Sequence, residues 1–400
     1  MQLISELGLK VPDDWEISTL GTHTSKIGSG ATPKGGSSVY VNDGVALVRS
    51  QNVYDHSFKS KGLAFIDETA AHALRGVTLH VNDVLINITG DSILRTTMIP
   101  SQVLPARVNQ HVSIVRADDS TNPLFVQKWL STPWMKGYML GLSSGGTRKA
   151  ITKAHLESLP IAIPPLSEQA TIASTLGALD DKIESSQRSI SKALEIIDTL
   201  SEAFGENLPS ISLRGIANPV KKSINPASFG DSFVDHFSLP AFDEGGRPER
   251  ASASTIRSSK LLVPSTSILI SRLNPRIERI WWATPDPGIQ ALASTEFVVL
   301  SACNELELAA AWLAVRSLAF REELPQRVTG TSGSHQRVRP DDALSIEVPD
   351  FNKAPNQLKQ TALTLLTKTS ALRLEIERLA ELRDALLPEL MSGRIRVPEA

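Results

Sequence analysis

The side chains best equipped for selective chemistry in this 400-residue chain stand in polar loops. Arg49, Gln51 and Asn52 follow the apolar run Val45–Val48, and Arg95 stands beyond Asp83–Ile88. Thr147, Arg148 and Lys149 close the loop that opens Ser143-Ser144-Gly145-Gly146. Farther on, Arg272, Asn274 and Arg276 share one stretch, and His335, Gln336 and Arg337 share another. A guanidinium pairs bidentately with guanine, and an Asn or Gln amide with adenine. The same groups also clamp phosphates, which take most protein–DNA hydrogen bonds, or simply stay solvated in turns. Glycines 145, 146, 330 and 333 allow close backbone approach, as they do in ordinary loops.

Catalytic patterns are missing. No Gly-x4-Gly-Lys-Ser/Thr phosphate loop occurs, and Gly28-x-Gly30 runs into Pro33 where a dinucleotide fingerprint needs its third glycine. Ile163-Pro164-Pro165-Leu166 lacks the polar first residue of the Asn-Pro-Pro-aromatic signature of adenine methylases. No Glu-x-Lys nuclease core and no His/Cys cluster with metal-ligand spacing is found. The expectation is a chain with no catalytic residues, no cofactor and no metal.

Composition sets the setting. With 41% hydrophobic and 21% charged residues the chain reads as globular, and no apolar run approaches the 18 residues of a membrane span. The start, Met1–Glu6, has neither basic patch nor apolar core and reads as no secretion signal. Cys303 is alone, in an apolar strand-like context, which suits the cytoplasm. The net charge of −2 gives no bulk attraction to a polyanion, but the excess of acid over base falls on one segment: residues 165–211 hold 3 basic against 8 acidic side chains.

That segment is the element on which the loops hang. After Pro164-Pro165-Leu166-Ser167-Glu168-Gln169, apolar or small residues recur at steps of four and three: Ile172, Leu176, Leu179, Ile183, Ser186, Ile190, Ala193, Ile197, Leu200 and Phe204. Such a heptad predicts a long helix with one seam, N-capped by Ser167 and stopped by Gly205 and Pro209. The steps return at Leu358, Ala362, Leu365, Thr369, Leu372, Ile376, Leu379, Arg383, Leu386 and Leu390, with Pro388 and Gly393 ending the second rod. Ser186, Thr369 and Arg383 interrupt the seam, as tolerated imperfections or as register marks. Asp180-Asp181-Lys182 is expected on the solvent side.

Each rod follows a globular stretch, and the two stretches share one plan. Asp83–Ile88 and Val112–Arg116 read as strands followed by an amphipathic helix near Pro123–Leu140 and a closing strand, Ile161–Ile163. Ser267–Ser271, Phe297–Leu300, Leu306–Glu323 and Ile346–Val348 repeat that order. Trp281 and Trp282 are expected in sheet surface and core rather than as stacking platforms. Globule, rod, globule, rod is an internal duplication.

The whole chain resembles the specificity subunits of type I restriction–modification systems. The likeness rests on Pro164–Gln169 before one rod and Leu386-Leu387-Pro388-Glu389-Leu390-Met391-Ser392-Gly393-Arg394-Ile395 after the other. It rests also on Trp15 to Gly30-Ala31-Thr32-Pro33, His236–Asp243 and Ser271–Arg276. The resemblance implies an α+β chain: two mixed α/β target-recognition domains, 1–164 and 212–349, separated by two long antiparallel helices, 165–211 and 350–400, forming a coiled coil. Each domain would read one half of a bipartite site in double-stranded DNA. The helices would space the domains and dock methylase subunits, two of them, with Asp180 and Glu184 on the expected docking face. Restriction and translocase subunits would join through that methylase complex. The alternatives are an autonomous methyltransferase or nuclease fused to its reader, and a helical scaffold with no DNA role.

Overall fold

The computed structural model describes residues 1–143, 150–329 and 336–397. The chain forms two compact units, Met1–Glu184 with Arg378–Ala400, and Ser185–Glu377. The division falls inside both rods, Leu166–Gly205 and Asn356–Met391, so each globule carries the half-rods it packs against.

In the first unit a four-stranded antiparallel sheet has the order Thr96–Met98, Val84–Asn87, Val112–Ala117, Thr24–Ser29. A second sheet orders Ala106–Val108, Val45–Val48, Ala64–Ile66 and Tyr40–Val41, its first pair parallel. Pro160–Ile163 closes the globule against Glu16–Thr19. The helix expected near 123–140 is two helices, Pro123–Ser131 and Pro133–Leu142. Pro133 has no N–H to continue the first, and the Thr132 hydroxyl caps the second. Phe125, Trp129, Val84, Ile86 and Val115 bury one face of the sheet, and Ile172, Leu176, Leu387 and Met391 of the half-rods complete that core.

The second unit repeats the plan. Asn218–Pro219, Phe297–Ser301, Ser267–Ser271 and Ile280–Ala283 form the antiparallel sheet. Gln290–Ala293 runs parallel to Phe233–Phe237 in a five-stranded partner sheet. The helix again breaks in two, Glu305–Arg316 and Leu318–Glu323, with Ser317 as cap. Trp281 and Trp282 are both buried, Trp281 edge-on to Phe237 and Trp282 edge-on to Trp312. Cys303 is exposed in the turn after Phe297–Ser301, outside the strand expected for it, because the strand ends before it.

The rods run antiparallel within each unit: Asp180 meets Arg383 in the first, Ser186 meets Glu375 in the second. Ser167 lies inside the first turn rather than capping it, and Pro388 is accommodated in the helix, which continues to Met391. Proline there costs one bond near the end, where the Ser392 hydroxyl donates to the Pro388 carbonyl. Phe204 is exposed and Ser201 takes its place inside, its hydroxyl donating to the Leu313 carbonyl at 2.7 Å. A straight helix drifts about 20° per heptad from a strict seven-residue repeat, which slides the buried line by one residue toward the end of the rod.

Candidate nucleic-acid interface

In the first unit the turn between Val84–Asn87 and Thr96–Met98 builds the wall of a cleft of about 940 Å3. Buried Asn87 anchors it, its amide donating to the Ser50 carbonyl and the Ser92 hydroxyl, both at 3.0 Å. Gln51, Tyr54, Thr89, Arg95 and His111 line the opening. Two cations lie against one ring: Lys59 Nζ is 3.8 Å and Arg95 Cζ 4.6 Å from the Tyr54 centroid. Such contacts hold a cation loosely, at about 0.5–1 kcal/mol where exposed. The Thr89 hydroxyl is 2.6 Å from His111 Nδ1.

The expected residues divide here. Gln51 and Arg95 stand on the cleft wall. Arg49 lies over Tyr40 and donates to the Gly62 carbonyl at 2.7 Å. Asn52 is wholly buried and is no reader: its amide donates to the Lys59 carbonyl and its oxygen accepts the Arg49 N–H. A buried amide that satisfies its own turn has no edge left for a base. Thr147, Arg148 and Lys149 lie outside the described residues. Tyr54, Lys59, Thr89 and His111 were not singled out from the sequence. The chain has only 3 tyrosines, and one of them two residues beyond Asn52 is a signal that could have found this cleft.

The second unit rebuilds the same frame with other side chains. In the first, the Ile88 N–H donates to the His111 carbonyl and the Ile88 carbonyl accepts from Ile151 N–H. In the second, Arg272 bonds Glu296 and Val338 in the same two ways. The next residues bridge alike, Thr89 with Ala150 and Leu273 with Arg337. Gly90 and Asn274 then both take left-handed backbone, φ 80° and 48°. Ile93 and Ile277 donate back to their carbonyls, and the turns end at Arg95 and Arg279.

The cations of this second turn are differently employed. Arg272 braces its own frame, donating to the carbonyls of Val338 and Thr295. The Arg279 guanidinium grips Asp243 through two 2.7 Å bonds, and Arg337 grips Glu296 at 2.9 Å. Asn274 is held by its backbone N–H, which donates to the half-exposed Gln336 carbonyl. Arg276 is exposed beside Ile277 and Phe320, in a cleft of about 320 Å3, with no acid paired to it among the described residues. His335 lies outside the described residues.

The acidic docking face needs correction. Asp180 does not face solvent: its side chain is 13% exposed and is held by Arg383 Nη1 at 3.1 Å and by Lys128 Nζ, with the His56 ring beside it at 3.6 Å. Helix Pro123–Ser131 covers it, and Lys128 on that helix is itself only 1% exposed. Burial first, then the cations Lys128, Arg383 and Lys136, push His56 down to about 2. Arg383 thus answers the seam question in this unit: it is paired, and Glu184 alone of the two expected acids stays exposed.

Residues 12–195 match the family described as type I restriction modification DNA specificity domain. The "Putative type I restriction enzyme MjaX specificity subunit" of Methanocaldococcus jannaschii is 29% identical over 190 residues, 45% of this chain and 40% of that protein. The type I restriction enzyme EcoBI specificity subunit of Escherichia coli is 22% identical over 200 residues, 48% of this chain and 41% of that one. The matched stretch thus spans well under half the length of these curated relatives. Among solved structures, the S subunit of a type I restriction-modification system from M. genitalium superposes with a TM-score of 0.57 at 15% identity. The match covers 96% of this chain and 98% of that one, a likeness of fold.

Proposed function

We propose, from the membership of residues 12–195 in the family of type I restriction–modification DNA specificity domains, that this chain is the DNA-sequence specificity subunit of such a system. Two readers, residues 1–164 and 212–349, each take one half of a bipartite site in double-stranded DNA. The paired helices, 165–211 and 350–400, set the distance between them and dock two methylase subunits, through which restriction and translocase subunits join. The chain itself performs no catalysis; methylation and cleavage belong to the partners.

One observation carries this reading: the turns 88–95 and 272–279 keep one backbone frame while nearly every side chain on them differs. A constant frame with variable donors suits one task performed on two targets. In the first reader Arg95 and Gln51 face base edges, with Lys59 on a phosphate. A guanidinium resting on Tyr54 leaves its ring contact at small cost and pairs with guanine bidentately. In the second reader Arg276 is the available donor. A phosphate approaching Arg337 or Arg279 must first displace a carboxylate.

The test is selection of bound duplexes from a random pool by the chain with its methylase, followed by methylation mapping. A split consensus supports the reading. Binding with no sequence preference removes it, and transfer of methyl groups by the chain alone would favour the autonomous enzyme.

A further inference from the structure

The two units differ at one joint where the duplication should make them alike. Ile172 of the first rod matches Leu358 of the second, and the same offset matches Asp180 to Leu366 and Ile197 to Arg383. On the helices that cover the rods, Thr132 and Ser317 are matching caps. Counting back from them matches Ser131 to Arg316 and Lys128 to Leu313.

In the first unit three of these positions form a charged cluster. Lys128, only 1% exposed, donates to Asp180, and Asp180 accepts from Arg383 at 3.1 Å. In the second unit the same positions hold Leu313, Leu366 and Ile197, all wholly buried in one apolar core. A further contrast lies one turn along: Arg316 donates through Nε to Asp198 at 2.6 Å. Its counterpart Ser131 is buried and donates to the Gln127 carbonyl at 2.8 Å.

A buried ion cluster adds little stability over well-packed apolar residues, and the second unit shows the apolar form of the joint. What charge adds is discrimination between partners, as a polar residue does in a helical seam. Two rods with one repeat invite the wrong pairing, each with the like rod of a second copy. In a first-with-first pair, Lys128 and Asp180 would meet Ile197 in place of Arg383, and Asp198 would meet Ser131 in place of Arg316. In a second-with-second pair, Arg383 would meet Leu313 and Leu366 in place of Asp180. Both errors leave a charge without the partner that its burial requires.

We infer that Lys128, Asp180 and Arg383, together with Asp198 and Arg316, select the partner of each rod. They admit the unlike rod and exclude the like rod of a second copy of this chain. On the reading of the chain as a specificity subunit, this keeps two different readers in one assembly, since a like pair would join two identical ones.

The test is sedimentation of the full chain, with co-purification of two differently tagged copies as a second readout. The natural chain should sediment as a monomer and bring down no second copy. Ile197→Arg with Arg383→Ile leaves composition and net charge unchanged and reverses the choice, so self-association should strengthen roughly tenfold or more. Adding Lys128→Leu, Asp180→Leu, Leu313→Lys and Leu366→Asp moves the whole cluster into the second unit and should return the monomer. A twofold exchange that stays folded and monomeric overturns the inference. So does a natural chain that self-associates as strongly as the exchanged one. Association or unfolding that the sixfold exchange does not reverse would make the cluster a structural feature without selectivity. Neither DNA nor methylase enters the measurement, so its failure and that of the proposed function are separate outcomes.

Discussion

The turns 88–95 and 272–279 hold their main chains by the same hydrogen bonds and employ their side chains in opposite ways. In the first unit the cations lie on aromatic faces, Arg49 on Tyr40 and Lys59 with Arg95 on Tyr54. In the second, two lie on carboxylates, Arg279 on Asp243 and Arg337 on Glu296. The frame is fixed by strands whose inward faces are buried, so it tolerates little change. The outward side chains contact each other and water, so they vary without cost to the fold. On the proposed function the difference in employment has a consequence: a ring would give up a cation to DNA easily, and a carboxylate would compete with DNA for it.

The largest expected effect concerns how each unit holds its half-rods. Asp180→Ala would leave the buried Lys128 without its acid and Arg383 with Asp384 alone, and should destabilise the first unit by about 3–5 kcal/mol. The corresponding cut in the second unit, Glu375→Ala, removes the partner of the Ser186 hydroxyl and should cost about 1 kcal/mol. Urea unfolding of the full chain, followed by probes in each unit, separates the two. Equal losses would show that the ion cluster does not distinguish the halves.

Acid sharpens the same contrast. His56 has a folded pKa of about 2, below the ordinary 6.5. Between those values the unfolded chain binds a proton that the folded unit refuses. Its stabilising share is complete above pH 6.5 and falls by about 1.4 kcal/mol per pH unit below it, or about 2 kcal/mol at pH 5. His236 in the second unit is also lowered, by burial and then Lys260, with Glu249 opposing, so that unit should lose less. His56→Asn, a residue that accepts the φ of 60° found there, should flatten the first unit's acid slope. A slope that survives the substitution would assign the loss to other groups.

The rods were the most legible feature, because a repeated seven-residue spacing has no other economical reading: 40 and 36 residues of helix stand where the steps fall. The duplication was legible for the same reason, strand for strand. The burial of Asp180 was not. Spacing places a residue on a helix face, but only the fold shows that Pro123–Ser131 covers that face. Asn52 shows a similar limit, since a turn-forming amide and a base-reading amide look alike in sequence. The break at Thr132-Pro133 was available, as a cap followed by proline, but the apolar pattern across it is continuous. Whether a given arginine rests on a ring or on an acid depends on residues distant in sequence, Asp243 with Arg279 and Glu296 with Arg337, and no local pattern records it.

Half-site readout comes next in size. Arg95→Ala should relax or weaken the first half-site only, and Arg276→Ala the second only, each by about 1–3 kcal/mol if a base contact is lost. Selection from random duplexes with each variant decides it. Should both substitutions degrade the same half, the turns are not separate readers.

The smallest effect tests the exchange of partners directly. Glu296 holds Arg337, on the strand Arg337–Val338, through its Nε and Nη2. While that pair persists, Arg337 adds no net positive charge for a phosphate to find. Glu296→Gln keeps the side chain's length and one hydrogen-bond acceptor and removes the competing charge. The pair is solvent-exposed on the arginine side, so little stability is at stake. DNA affinity should rise alike for all sequences, because a phosphate contact carries no base information. The slope of log affinity against log salt should steepen by about one. The half-site consensus should stay as it was. In the first unit the matching position is His111, which faces Thr89 and has no arginine paired to it among the described residues, so His111→Gln should leave the salt slope unchanged. A steeper slope in both variants, or in neither, would remove the distinction between ring-held and acid-held cations.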